Sequence, residues 1–190
     1  MTLTAGNVIR FPGKAESVGA AGGISRAEQR EVFLDYLLPV KKHLYNFIRK
    51  TMNFSLESDD LFQDTLLKGF LYFHSFDRGR SFKTWIFTIA HNLMKDAFRE
   101  RDLSQGRISL EEAEEMGCAD SQTGISADIR EIYMAAARLK PRQREIFFLY
   151  YYNEFGVSEI AEITGLSRTN IKFILHQGRN AVKAAMEVKA

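Results

Sequence analysis

The chain has 190 residues, of which 45% are hydrophobic and 26% charged, and its formal net charge is +2. That length fits one medium domain or two small ones. The balance excludes a protein that announces a polyanionic partner by bulk charge, so any nucleic-acid surface must come from uneven charge distribution. A single cysteine, Cys118, excludes an internal disulfide and a multi-cysteine zinc site, and His43, His74, His91 and His176 lack ligand-like spacing.

No metal and no cofactor are therefore expected. No apolar run approaches the ~20 residues needed to span a bilayer. Val8, Ile9 and Phe11 are too few for a signal-peptide apolar region. The expectation is a soluble, cytoplasmic chain.

Residues 1–24 read as a flexible tail, rich in glycine and too poor in large apolar residues to repay ordering. Helical periodicity begins at Ser25, an N-cap with Glu28 at the capping-box position. It runs through Val32, Phe33, Tyr36, Leu37, Val40, Leu44, Phe47 and Ile48. Pro39 predicts a kink or a break. A second helix is expected from Ser58, with Asp59 and Asp60 in the first turn, where the helix dipole favours acids. Its apolar stripe is Leu61, Phe62, Thr65, Leu66, Gly69, Phe70 and Phe73. Phe76–Arg80 forms a loop with a glycine turn. Ser81 caps a third helix whose buried face is Phe82, Trp85, Ile86, Ile89, Ala90, Leu93 and Ala97, ending among Arg99–Asp102.

Residues 103–126 change character: acids cluster, glycines appear and large apolar residues thin out. This stretch reads as an acidic linker, with a short helix around Leu110–Met116. Helices then resume near Ser126. One carries Ile129, Ile132, Tyr133, Ala136 and Leu139 and is stopped by Pro141. Another spans Arg142–Tyr152 with Ile146, Phe147, Leu149 and Tyr150 as candidate core. Two more follow, Ser158–Ile163 and Ser167 to about Ala185. The expected fold class is all-α: two small helical domains, residues 25–102 and 127–190, joined by the linker.

The last two helices have a helix-turn-helix layout. Ser158 can cap the first, Ala161 is small enough for close approach, Gly165 supplies a left-handed turn, Leu166 plugs the corner and Ser167 caps the second. Ile171, Leu175, Gly178 and Val182 form the inner stripe. The outer face carries Arg168, Thr169, Lys172, Phe173, His176, Gln177, Arg179, Asn180 and Lys183. From Ser167 to Ala190 there are five Lys/Arg and one acid. Lys and Arg suit phosphates, while Thr, Gln, Asn and His suit base edges in a major groove. The plain alternative is a helical hairpin with a solvated basic face. In the first domain, Phe76, Phe82, Trp85 and Phe87 interleave with Arg78, Arg80, Lys83, Lys95, Arg99 and Arg101. Thr88, His91, Asn92 and Lys95 line the polar face of the third helix. Aromatics among bases suit stacking on unpaired nucleotides, although the spacing of Phe82 and Trp85 also fits a core.

Two stretches carry a family resemblance. Asp60–Phe70, followed by Phe76–Leu93, closely resembles region 2 of sigma-70 factors. Leu139-Lys-Pro-Arg-Gln-Arg-Glu-Ile-Phe through the helix-turn-helix resembles region 4. The short linker makes the layout similar to the extracytoplasmic-function (ECF) group. The match covers about residues 26–102 and 127–186.

The resemblance implies a transcription-initiation factor and a role for each surface. Asp60, Gln63 and Asp64 stand where such factors bind the clamp helices of the largest subunit of core RNA polymerase, and the second domain would meet the polymerase flap. The loop Phe76–Ser81 and the face of the third helix would capture a flipped base of the −10 element of promoter DNA. Arg80, Lys83, Trp85, Thr88, His91, Asn92 and Lys95 are the candidate contacts. Ser167, Arg168, Thr169, Lys172, Phe173, His176 and Gln177 match the −35 readers. Asp96, Phe173 and Gln177 depart from what members often carry. An anti-sigma protein is a further partner of many members. No catalytic residues are implied. Two other classes fit the residues alone: a stand-alone helix-turn-helix regulator, and a nucleic-acid enzyme using Asp59, Asp60 and Asp64.

Overall fold

In a computed structural model the described residues are 25–53, 55–104 and 127–187, and all their regular elements are helical. The expected tail and the linker from residue 105 on, including the helix around Leu110–Met116, lie outside them; Leu103 and Ser104 instead end the third helix. The helices are α1 (Arg26–Thr51), α2 (Glu57–Tyr72), α3 (Phe82–Ser104), α4 (Ala127–Ala137), α5 (Pro141–Tyr151), α6 (Val157–Thr164) and α7 (Arg168–Glu187), with a short 3₁₀ turn at Phe73–Ser75.

Local chemistry sets most boundaries. Ser25 Oγ accepts the Glu28 N–H, and the Glu28 carboxylate accepts the Ser25 N–H at 2.7 Å, so two orphan donors of α1 are satisfied. The Ser25 backbone and hydroxyl together hold the Glu28 carboxyl below its ordinary value. Helix α1 runs through Pro39, so of the kink or break expected there the break does not occur. Pro39 and Asp35 are both exposed, so the carbonyl that loses its i+4 donor can turn to water. The α6 N-cap is Gly156, not Ser158; the Glu159 carboxylate accepts the Gly156 N–H at 2.8 Å. In α5 Phe148 is buried along with the expected Ile146, Phe147 and Leu149, whereas Tyr150 is exposed. An all-apolar run hides its own phase, and only packing against α1 and α7 sets it.

Gly165 ends α6 at φ +70°, and a Cβ there would meet nothing within 4 Å. The cost of a side chain is then purely conformational, about 1–2 kcal/mol for the left-handed backbone, less the stiffening of the unfolded chain. Gly165→Ala is expected to lose about 1 kcal/mol in urea denaturation. An unchanged midpoint would show that the corner can relax.

Helices α1–α3 form an N-terminal bundle around Leu44, Phe47, Ile48, Ile86, Phe87, Ile89 and Ala90. Phe33, Tyr36, Phe73, Phe76, Phe82 and Trp85 pack ring to ring, with centroids 5.1–6.5 Å apart. Each such pair adds about 0.5–1.5 kcal/mol beyond area burial, which pins the loop before α3. Helices α4–α7 form a C-terminal bundle around Ile146, Phe147, Leu149, Ile160, Ile163, Ile171 and Leu175.

The two bundles do not stand apart. Helix α6 packs on α3 and α5 on α1. Phe87 lies between Phe47 and Phe155, each 5.0 Å away, so one apolar cluster runs through both. Polar links cross the same seam. Asn46 Nδ2 donates to Tyr152 Oη at 2.7 Å, Lys83 Nζ to the Asn153 carbonyl at 2.6 Å, and Arg144 Nε to the Thr51 carbonyl at 2.8 Å.

Candidate nucleic-acid interface

Helix α7 displays its polar face without obstruction. Arg168, Thr169, Lys172, Phe173, His176 and Gln177 are all exposed, while Ile171, Ile174, Leu175, Gly178 and Val182 are buried beneath them. Ser167 is exposed but partly committed, since its Oγ accepts the Asn170 N–H at 3.2 Å. Gln143 Nε2 donates to Gln177 Oε1 at 3.1 Å, which orients that amide from α5. Phe173 is 57% exposed, a large apolar group on a face that also carries Arg168 and Lys172. A helix of this kind, preceded by a left-handed corner, fits the width of a major groove.

The N-terminal bundle holds a cleft of about 320 Å³ lined by Ser75, Phe76, Asp77, Arg80, Ser81, Trp85, Thr88 and Glu162. Its loop is built locally: Asp77 Oδ1 accepts the Gly79 N–H at 2.9 Å, and the Asp77 carbonyl accepts the Arg80 N–H. Ser81 Oγ then accepts the Thr84 N–H and starts α3. Trp85 is half-buried against Phe76 and Phe82 and also forms the cleft wall, so the core reading and the stacking reading of this residue are compatible.

The other candidates on α3 are placed differently from a free polar face. Thr88 is buried, with its hydroxyl donating to the Thr84 carbonyl. Lys83 turns to the Asn153 carbonyl and lies 4.5 Å from the Phe155 ring centroid. His91 Nδ1 sits 2.6 Å from Glu145 Oε1. Arg80 pairs with Glu162. Asn92 is half-buried and Lys95 exposed. Glu145, Asn153 and Glu162 all come from the C-terminal bundle, and sequence reasoning missed every one. Nothing local in the sequence marks them, because they act across the seam.

On α2, Asp60, Gln63 and Asp64 are exposed on one face, and Leu67 and Leu71 continue it at 57% and 45% exposure. The sequence reading omitted these leucines. Their spacing from Asp60 and Asp64 was the available signal. A further apolar groove of about 680 Å³ lies between α4, α5 and α7, rimmed by Arg179 and Lys183.

The comparisons with known proteins bear on both bundles. Residues 36–103 match the model of sigma-70 region 2, and residues 129–182 match that of sigma-70 region 4. The chain is 30% identical over 135 residues to the ECF RNA polymerase sigma factor EcfG of Rhodopseudomonas palustris, covering 69% of this chain and 72% of that protein. It is 23% identical over 165 residues to the ECF sigma factor SigW of Bacillus subtilis, covering 81% and 88%. This chain belongs to the sigma-70 family, in its ECF group.

Among solved structures, the sigma factor RpoE of Bartonella quintana, in complex with the anti-sigma factor NepR, superposes with a TM-score of 0.71 at 28% identity, covering 84% of this chain and 99% of that one. CnrH, in complex with the cytosolic domain of CnrY, shares the fold at 20% identity with a TM-score of 0.63. In sigma terms, α1–α3 are region 2 and α4–α7 are region 4. The candidate residues on α7 are exposed, whereas Arg80, Lys83 and His91 of region 2 meet acceptors from region 4. Among the described residues no cluster of three or more His, Cys, Asp or Glu groups could hold a metal ion. No described helix is long and apolar enough to cross a membrane.

Proposed function

We propose that this sigma factor binds core polymerase through the exposed α2 face and reads a two-part promoter, with α7 on the −35 duplex and the α3 cleft on a flipped −10 base. Residues 25–102 form the polymerase- and −10-binding unit and residues 127–190 the −35-binding unit. Residues 1–24 are a tail and 103–126 a linker. The observation that carries the reading is α7: every candidate −35 reader on it is exposed, over an unbroken buried stripe. Lys172 and Arg168 would neutralise phosphates, while Gln177 and His176 would face base edges.

The α3 cleft, walled by Trp85 and Phe76, suits one unstacked base. Flipping costs a few kcal/mol, and stacking in such a pocket offsets it. Each surface alone needs only modest affinity, because polymerase holds both and raises the effective concentration of one once the other is engaged. The chemistry is binding and strand separation in the cytoplasm, without catalysis by this chain. The flap of polymerase is the proposed occupant of the groove between α4, α5 and α7. An anti-sigma protein is a further proposed partner.

Reconstitution with bacterial core polymerase on a promoter library tests this. Start-site-specific transcription is expected. Failure to bind core, with tight dimeric binding to palindromic duplex instead, would favour the stand-alone regulator. Asn92→Ala is expected to abolish open-complex formation, read by permanganate reactivity, with core binding retained. Loss of core binding by that variant would remove Asn92 from the −10 surface.

A further inference from the structure

We infer that Phe173 reads the C5-methyl group of a thymine in the −35 duplex, so that part of the promoter sequence is selected by apolar contact and not by hydrogen bonds. The inference rests on the reading of α7 as the −35 surface and names what one residue of that surface selects.

Phe173 stands apart from the other phenylalanines. It is the only exposed phenylalanine among the described residues; Phe62, Phe70 and Phe98 are half-buried and the rest are buried. The stripe that α7 buries is Ile171, Ile174, Leu175, Gly178 and Val182. Phe173 follows Ile171 by two positions, about 200° around the helix axis, so it lies on the far side from the bundle and packing does not account for it. Leaving the ring in water forgoes the stabilisation that burial of an aromatic side chain gives.

Most of what a major groove presents is hydrogen-bonding edge. A phenyl ring neither donates nor accepts, so against guanine, adenine or cytosine it would strip water from polar atoms and return nothing. The C5-methyl of thymine is the apolar feature of that groove, and an aromatic side chain suits it. The neighbours on α7 supply the rest. Thr169 and Gln177 lie one turn to either side of Phe173, with Arg168 and Lys172 beside it, and all are exposed. The two cations can hold phosphates and so fix the register of the ring over one base pair. Gln177 offers a polar contact about 6 Å further along the helix, roughly two base-pair steps away. A site read this way joins one methyl contact to nearby hydrogen bonds.

The test uses the full chain with core polymerase. Selection from a promoter library first defines the −35 element. In the selected promoter each −35 thymine, on either strand, is then replaced singly by deoxyuridine, which removes the methyl and keeps the hydrogen-bonding edge. Binding of fluorescein-labelled promoter is compared for the parent, Phe173→Ala and Phe173→Leu. At one thymine the parent is expected to lose about fourfold in affinity, the worth of one buried methyl. Phe173→Leu should keep that dependence and Phe173→Ala should lose it. With cytosine at the same position, methylation at C5 should restore about fourfold to the parent and nothing to Phe173→Ala. An element without thymine on either strand would overturn the proposal and leave α7 as the −35 surface. So would an element at which no deoxyuridine change matters, or at which Phe173→Ala stays as sensitive as the parent. Promoters selected without any −35 element, and indifferent to Arg168→Ala, would overturn the reading of α7 and the proposal with it.

Discussion

Replacing Arg144 with Met is expected to lower the stability of the chain by about 3 kcal/mol and its melting temperature by roughly 6–12 °C. The guanidinium is buried, and its acceptors are backbone carbonyls. Nε donates to Thr51 at 2.8 Å, and Nη1 to Ala137 at 2.8 Å and to Leu139 at 3.4 Å. Those carbonyls lie at the C-terminal ends of α1 and α4, where helices leave orphan acceptors and a partial negative charge. One cation thus closes two helix ends in two bundles.

Burial, with a smaller contribution from Arg101, pulls this guanidinium down from its ordinary value to about 10. It stays charged at neutral pH. Because its folded value lies below its unfolded one, the unfolded chain binds more protons between the two. The contribution of this group to stability therefore rises with pH only through that alkaline window and is flat across neutrality. Removing the side chain relieves the cost of burying a charge but strands three acceptors, and hydrogen bonds to a charged group contribute about 1.5–3 kcal/mol each. The net is a loss. Arg144→Lys should recover part of it, because an ammonium lacks the fork that reaches both ends. Urea denaturation followed by circular dichroism reads the difference. A Met variant within 0.5 kcal/mol of the parent, the range of ordinary surface changes, would show that Arg144 does not tie the ends together.

Asp64→Lys is expected to weaken binding to core polymerase by about 30- to 1000-fold, the 2–4 kcal/mol span of an interface hot spot. Stability should move by no more than about 0.5 kcal/mol, because the side chain is exposed on the second turn of α2. Asp60 is a poorer probe. It lies in the first turn, where its charge also supports the helix by about 0.3–1 kcal/mol, so folding and binding effects would mix. Leu67→Asp should match the loss at Asp64, since Leu67 continues the same face one turn on. Competition for fluorescently labelled core measures both. Full affinity in Asp64→Lys would remove α2 from the polymerase surface.

What the sequence determined by itself is what depends on short range. The caps at Ser25, Ser81 and Ser167, the left-handed Gly165 and the phase of α7 are all functions of residues three or four apart. A helix with one apolar stripe declares which face is buried. That is why the candidate readers from Arg168 to Gln177 could be named in advance. The same logic ran out in α5, where Glu145–Leu149 is buried on all sides and offers no stripe to count. It ran out at Pro39 too, because whether a lost hydrogen bond breaks a helix depends on whether its carbonyl faces water.

Only the tertiary structure decided how the bundles meet. Glu145, Asn153 and Glu162 look like ordinary polar positions in their own helices and turns. They acquire their part from His91, Lys83 and Arg80, which lie 54, 70 and 82 positions away. Electrostatics and packing act through space, and no periodicity within α3 or α5 encodes that His91 and Glu145 will stand 2.6 Å apart. The helices and their faces belong to local sequence; the seam that engages the α3 face and leaves the α7 face open belongs to the fold.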